Sequence, residues 1–374
     1  MLQMRTITPF KFYCCFRKIL LLSSQPRHYL SAHSPTLLAF NQYINNMKKY
    51  LLFIFAGSMF LASCTKTAIT DPSTDYEVSG PVVQRKCATM AVLEEQLKAD
   101  PGLRKRMDEV EAFTSRFAAD PNNARLSGDQ MIIPVVVNVL YKTALEKLSP
   151  EQIQSQIDVL NEDYKGTNSD ISNVPGLFVP VEASDTKISF VLSNVVYKAT
   201  GKKSWSANDA MKKSSQGGIN PTSPANTLNL WACTLGQGLL GYAQFPGGNA
   251  ATDGVVILNR AFGSRTKWPA GYYISTYDLG RTASHEVGHY FNLRHIWGDA
   301  NCGNDFVDDT PLHTGANYGC PAPDSRSTCT GTPVMMTMNY MDYTDDACMY
   351  MFSGGQKTRM QASFAIGGPR ASLR

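Results

Sequence analysis

The stretch HEVGHYFNLRH, residues 285–295, holds three of the six histidines in the chain. On a helix, positions four apart lie about 40° apart around the axis and about 6 Å apart along it. His285 and His289 can therefore direct imidazole nitrogens at one metal ion. Glu286 projects beside them, offset from a third ligand position but able to reach a water at the metal. His295 stands six residues beyond His289. A continuing helix would set it ~120° further round and ~9 Å further along, out of reach of a shared ion. It can join the other two only if the helix stops near residue 292 and the chain turns back. Such a stop takes a left-handed residue, for which glycine is best and asparagine next. Asn292 stands at that position, and a positive φ is expected there.

Zinc suits this ligand set, because a catalytic zinc takes three protein ligands and leaves one position for water. The ion would lower the pKa of that water and polarise a scissile carbonyl. Glu286 would take the proton and pass it to the leaving amine.

The rest of the chain limits the setting. It has 374 residues, 43% of them hydrophobic and 18% charged, which is globular composition. The net charge of +4 comes without a Lys/Arg cluster interleaved with aromatics, so no nucleic-acid partner is expected. Residues 47–63 begin Met-Lys-Lys, continue through an apolar stretch and end Leu-Ala-Ser before Cys64. A basic start, an apolar middle and small residues before a cut make a signal peptide. The 14 residues from Tyr50 to Ser63 fall short of the ~20 a spanning helix needs. The ending resembles a bacterial lipobox, which makes Cys64 the lipidated residue and anchors an exported protein to the cell envelope through its lipid. Residues 1–46 are then an extra extension, with translation expected to start at Met47. Four of the nine cysteines, Cys302, Cys320, Cys329 and Cys348, crowd the last quarter. In an exported protein they read as two disulfides, for which three pairings are open. Cys233, within an apolar strand, is expected to be a buried free thiol.

Residues 64–80 are polar and read as a tether. Residues 88–117 carry helical spacing divided by Pro101 into two helices, within a segment 81–125. A domain of residues 126–374 follows. It opens with a buried strand over 131–141, rich in β-branched residues. An amphipathic helix covers 149–166, with Ser149 as N-cap and Gln152 at the capping-box position. Strands are expected over 187–197, 227–235 and 254–260, and the histidine-bearing helix over about 278–293. Loops follow, then a short helical piece at 353–364. His313 reads as a surface residue of those loops.

HEVGHYFNLRH resembles the metzincin signature HExxHxxGxxH, with asparagine in place of the glycine. Its flanks resemble the pappalysin family, especially the smaller microbial members. The matching segments are GLLGYAQFPGG (238–248), GRTASHEVGHYFNLRHIWGD (280–299), CGNDFVDDTP (302–311) and MNYMDYTDDACMYMFSGGQ (338–356). With the strand at 131–141 they cover most of residues 130–374. The resemblance implies an α+β, metzincin-like catalytic domain. That domain has a twisted mixed sheet, two long helices and a loop-rich C-terminal subdomain containing a Met-turn. It implies a secreted zinc-dependent endopeptidase acting on proteins or peptides. Met341 would be the Met-turn residue beneath the metal, and Tyr343 would hydrogen-bond the oxyanion. The family pattern pairs Cys302 with Cys329 and Cys320 with Cys348. It also places calcium at the acidic turn, where Asp305, Asp308 and Thr310, with Asp309 nearby, offer the oxygen donors that cation prefers. In similar members a pro-segment cysteine holds the zinc, and Cys87 matches it. Arg85 and Lys86 beside it are expected to lower its pKa. The chain would then be a zymogen, activated by cleavage near Arg125. The alternative is an inactive, surface-anchored binding protein that keeps the fold. Its mark would be loss of Glu286 or of a histidine, and none is lost.

Overall fold

The computed structural model describes residues 84–120 and 130–373. The expected signal peptide, Cys64, the tether up to residue 80 and the expected cleavage point at Arg125 lie outside the described residues. Among the described residues, no helix is long and apolar enough to cross a membrane.

Two helices come first, α1 (Thr89–Ala99) and α2 (Leu103–Ala119), with Pro101 between them. Pro101 separates them because it has no N–H to continue the helical ladder. The sheet has five strands: β1 (Met131–Tyr141), β2 (Ile188–Ala199), β3 (Leu228–Cys233), β4 (Gly241–Ala243) and β5 (Val255–Leu258). Their order is β2-β1-β3-β5-β4. The first four in that order pair parallel, and β4 runs antiparallel along β5 at the edge. Val135 to Leu140 of β1 are all buried, as expected for a strand covered on both faces. Sequence patterning did not reveal β4, because three residues, Gly-Tyr-Ala, are too few to show alternation.

Helix α3 (Pro150–Lys165) buries Ile153, Ile157, Leu160 and Tyr164. The Ser149 Oγ accepts from the Gln152 N–H at 3.1 Å and Gly166 ends the helix in the left-handed region. Gln152 does not complete a capping box. Its Nε2 donates to the Phe262 and Tyr272 carbonyls and its Oε1 accepts from the Tyr272 N–H, so it ties the loop after β5 to α3. Helix α4 (Arg281–Tyr290) carries His285 and His289 and is shorter at both ends than the expected 278–293. At its start, Gly280 takes φ 86° and the Asp346 Oδ2 accepts from the N–H groups of Leu279 and Arg281. Helix α5 (Gly354–Phe364) follows a capping box between Ser353 and Gln356.

Between α4 and α5 the chain is mostly loop, held by the Cys302–Cys329 and Cys320–Cys348 disulfides. Cys233 is a buried free thiol on β3. His313 is not a surface residue: it is fully buried, its Nε2 accepting from the Met336 N–H at 3.0 Å and its Nδ1 lying 3.3 Å from Asn317 Nδ2. Most of the loop is exposed or half-buried, but His313 turns inward to the Met336 N–H, a partner 23 residues on that its polar surroundings did not reveal.

Candidate active site

Helix α4 stops where the spacing of the histidines requires. Asn292 has φ 75°. The Leu293 N–H donates to Gly288 O at 2.9 Å and the Asn292 N–H to His289 O at 3.0 Å, the pair of bonds that closes a Schellman helix end. The chain then reverses and brings His295 back to the helix. His289 Nε2 lies 3.2 Å from His285 Nε2 and 3.1 Å from His295 Nε2. Replacing Asn292 with alanine is expected to cost about 1 kcal/mol, because a Cβ-bearing residue without a local polar side chain is strained there. Glycine should cost less. Denaturant unfolding of both variants checks this. Equal losses would shift the cause to the lost 3.4 Å contact between Asn292 Nδ2 and Thr114 Oγ1.

Each imidazole is oriented from behind. His285 Nδ1 faces Tyr340 O at 2.7 Å and His289 Nδ1 faces Leu293 O at 2.8 Å. His295 Nδ1 makes a short contact with Asp299 Oδ1, and its ring stacks on Trp297 at 4.4 Å. A carbonyl or carboxylate on Nδ1 fixes the tautomer that leaves Nε2 free as a metal ligand. Burial holds His285 and His289 well below the usual imidazole range, so both are neutral, as ligands must be. Asp299 and Trp297 were missed in the sequence, although both lie within four residues of His295.

Two glycines make the close packing possible. A Cβ on Gly288 would come within 2.5 Å of Met341 Sδ. Met341 thus sits directly beneath α4, fully buried, and its carbonyl accepts from the Ile296 N–H at 3.2 Å. A Cβ on Gly241 would come within 2.8 Å of Glu286 Cγ and 2.9 Å of Val256 O. Strand β4 therefore lies against the glutamate.

The first described residues complete the site. Cys87 bridges to Gly241 in parallel, with the Ala88 N–H on Gly241 O and the Leu240 N–H on Lys86 O, both at 3.0 Å. The ligand atoms of Cys87, His285, His289 and His295 all lie within 4.8 Å of one another. Three imidazole nitrogens and one sulfur match the four-coordinate preference of zinc. Among the described residues this is the only gathering of three or more His, Cys, Asp or Glu side chains suited to a metal. Glu286 Oε2 accepts from Thr89 Oγ1 at 3.0 Å and lies 3.3 Å from Cys87 Sγ, and burial pushes its carboxyl up to about 7. Tyr343 donates from its hydroxyl to Cys87 O at 3.4 Å, and its ring lies against His285, His295 and Trp297.

The expected lowering of the Cys87 pKa by Arg85 is not found. Burial, then the Glu286 charge, push the thiol up. Arg85 turns away into a pocket of its own. Its Nη2 meets Asp346 Oδ1 at 2.5 Å, its Nε donates to Thr344 O at 3.1 Å, its Nη1 donates to Thr282 Oγ1 at 3.3 Å, and its guanidinium lies over the Tyr277 ring. The separation of 261 positions between Arg85 and Asp346 left no local sign of this pair.

The acidic turn is engaged within the protein. Asp305 is buried and accepts from Thr310 Oγ1 at 3.1 and 2.9 Å and from the Val307 N–H at 3.2 Å. Asp309 accepts from Ser353 Oγ and the Gly355 N–H at the start of α5, while Asp308 is exposed. Asp305 and Thr310 are thus brought together, while Asp308 points to the exposed side of the turn.

Comparison with known proteins gives a consistent set of matches. The sequence model of the peptidase family described as Pregnancy-associated plasma protein-A matches residues 260–365. An extracellular metalloprotease of Pyricularia oryzae is 36% identical over 224 residues, covering 58% of this chain and 68% of the relative. One of Colletotrichum graminicola is 31% identical over 307 residues, covering 76% and 91%. Among solved structures, a mutant of promirolysin from Tannerella forsythia has a TM-score of 0.69 at 37% identity, covering 77% of this chain and 97% of that one. Mature mirolysin in complex with a cleaved peptide has a TM-score of 0.63 at 41% identity, covering 66% and 96%.

Proposed function

This chain belongs to the pappalysin family of metzincin metallopeptidases, and we propose from that premise that His285, His289 and His295 hold a catalytic zinc and Glu286 is the general base. The carrying observation is the convergence of three imidazoles with Glu286 beside them. Zinc, when bound, polarises the scissile carbonyl and makes an attacking water acidic. Glu286, in a buried setting that raises its proton affinity, takes the proton of that water and delivers it to the leaving nitrogen. Tyr343, whose hydroxyl here donates to a peptide carbonyl, stabilises the oxyanion. Met341 supports the histidines from below. Casein cleavage by the activated protein, abolished by a chelator and restored by zinc, tests this reading. A zinc-loaded, activated protein without cleavage would instead favour a binding role.

Residues 84–120 act as a pro-segment in this reading. Cys87 would hold the metal together with the three histidines, Thr89 hydrogen-bonds Glu286, and Lys86 and Ala88 pair with Leu240 and Gly241. Cys87→Ala should give a precursor with measurable activity before any cleavage and faster activation. An unchanged lag by SDS gel and peptide assay would rule out the latch.

The Arg85 pocket points to the substrate. Asp346 is fully buried, and a basic side chain is what neutralises it. A peptide taking the place of the pro-segment would put an arginine or lysine there. Relatives named extracellular metalloproteases, together with two disulfides, support export, with the lipid on Cys64 as the anchor. Calcium at the acidic turn rests on Asp305, a carboxyl pushed up to about 7 by burial, with Thr310 in contact with it. Calcium should raise the Tm by several degrees relative to EGTA, and an unchanged Tm would remove it from the proposal.

A further inference from the structure

Two arginines of the catalytic domain face the pro-segment close behind the metal site. Arg359, on α5, is buried. Its Nη1 and Nη2 donate to the two Glu111 oxygens at 2.7 and 2.6 Å, and its Nε donates to Asn292 O at 3.1 Å. Glu111 lies on α2, so this two-pronged pair joins the pro-segment to the enzyme. Arg294 immediately precedes His295. The two carboxylates that act on it are engaged elsewhere, Asp299 with His295 and Glu111 with Arg359. Its guanidinium lies 4.6 Å over the Phe245 ring, Met90 Sδ covers its Nη1 at 3.9 Å, and its buried Nε has no hydrogen-bond partner. Phe245 packs with Leu93, Leu103 and Met107 of the pro-segment and meets the His289 ring at 5.5 Å.

The pro-segment thus supplies a carboxylate to one arginine and an apolar cover to the other. Once residues 84–120 leave, both guanidiniums lose these partners and face solvent, open to pair with another carboxylate. We propose that in the mature enzyme Arg294 and Arg359 form a docking exosite for an acidic stretch of the protein substrate, with Phe245 receiving an apolar side chain beside it. This rests on residues 84–120 being a removable pro-segment. Glu111 stands in the structure as the model of the occupant. Arg85 precedes Cys87 and fills the basic pocket, whereas Met90 and Glu111 follow Cys87 and meet the arginines. The acidic stretch therefore lies on the opposite side of the scissile bond from the basic residue.

Two labelled peptides test this. They share the basic residue and differ in having glutamates or glutamines on the far side of the scissile bond. With the activated protein, kcat/KM should favour the glutamate peptide about tenfold, an ordinary size for a charge-assisted pair. The preference should shrink with salt and fall in Arg294→Gln and in Arg359→Gln. A wild-type ratio of one overturns the exosite, whether or not either variant folds. Anisotropy titration of both peptides onto Glu286→Ala protein, cut by an added protease, reads docking without turnover. Equal Kd values there overturn the exosite. Unequal values without cleavage by wild type would overturn the peptidase reading and support the exosite.

Discussion

Glu286→Gln is expected to lower kcat/KM of the activated protein by about 10²–10⁴, the range over which a positioned general base acts. Glutamine keeps the shape of the side chain beside Gly241, where a Cβ would already be too close, but it cannot take a proton. The three imidazoles are oriented by Tyr340 O, Leu293 O and Asp299, none of which depends on Glu286. Zinc content by mass spectrometry should therefore remain at one ion per chain. A variant that loses metal with activity would give Glu286 a structural role. A variant that keeps both would transfer the base to another group.

Asp346→Asn is expected to reduce the preference for a basic over a neutral residue by roughly 30-fold or more. The Arg85–Asp346 pair is fully buried, and losing one partner of such a pair costs about 2–5 kcal/mol, where each 1.4 kcal/mol is tenfold. Asparagine is chosen because Asp346 also starts α4: its Oδ2 accepts from the Leu279 and Arg281 N–H groups. An amide oxygen can keep accepting there while the charge is gone. Profiling a peptide library with both enzymes checks this. An undiminished preference for arginine and lysine would place the basic subsite elsewhere. The same substitution should weaken the pro-segment, since Arg85 loses its counter-ion, and shorten the activation lag.

Asn292 shows how far local sequence can reach. The six-residue gap before His295, a residue tolerant of the left-handed region, and the known geometry of a helix were enough to place the helix stop and its φ. The same holds for the two N-terminal helices, where Pro101 makes a local break, and for the parallel strands, whose apolar runs are long. Such features are set by interactions within a few residues.

What escaped depends on partners distant in sequence. Cys87 was expected to be a thiolate because Arg85 and Lys86 adjoin it. In the fold Arg85 is drawn to Asp346, and burial with Glu286 governs the thiol. His313 was expected at the surface because its loop is polar, but its ring is buried against the Met336 N–H, 23 residues on. Strand β4, the basic pocket and the Arg294–Arg359 pair arise only when segments far apart in sequence meet. The sequence by itself determined the gathering of the three histidines, the glutamate beside them and the helix stop between them, because covalent geometry and helix periodicity bring those groups together. Only the tertiary structure decided which charge meets which, because burial and long-range pairing set the energy of a charged group more strongly than its neighbours along the chain.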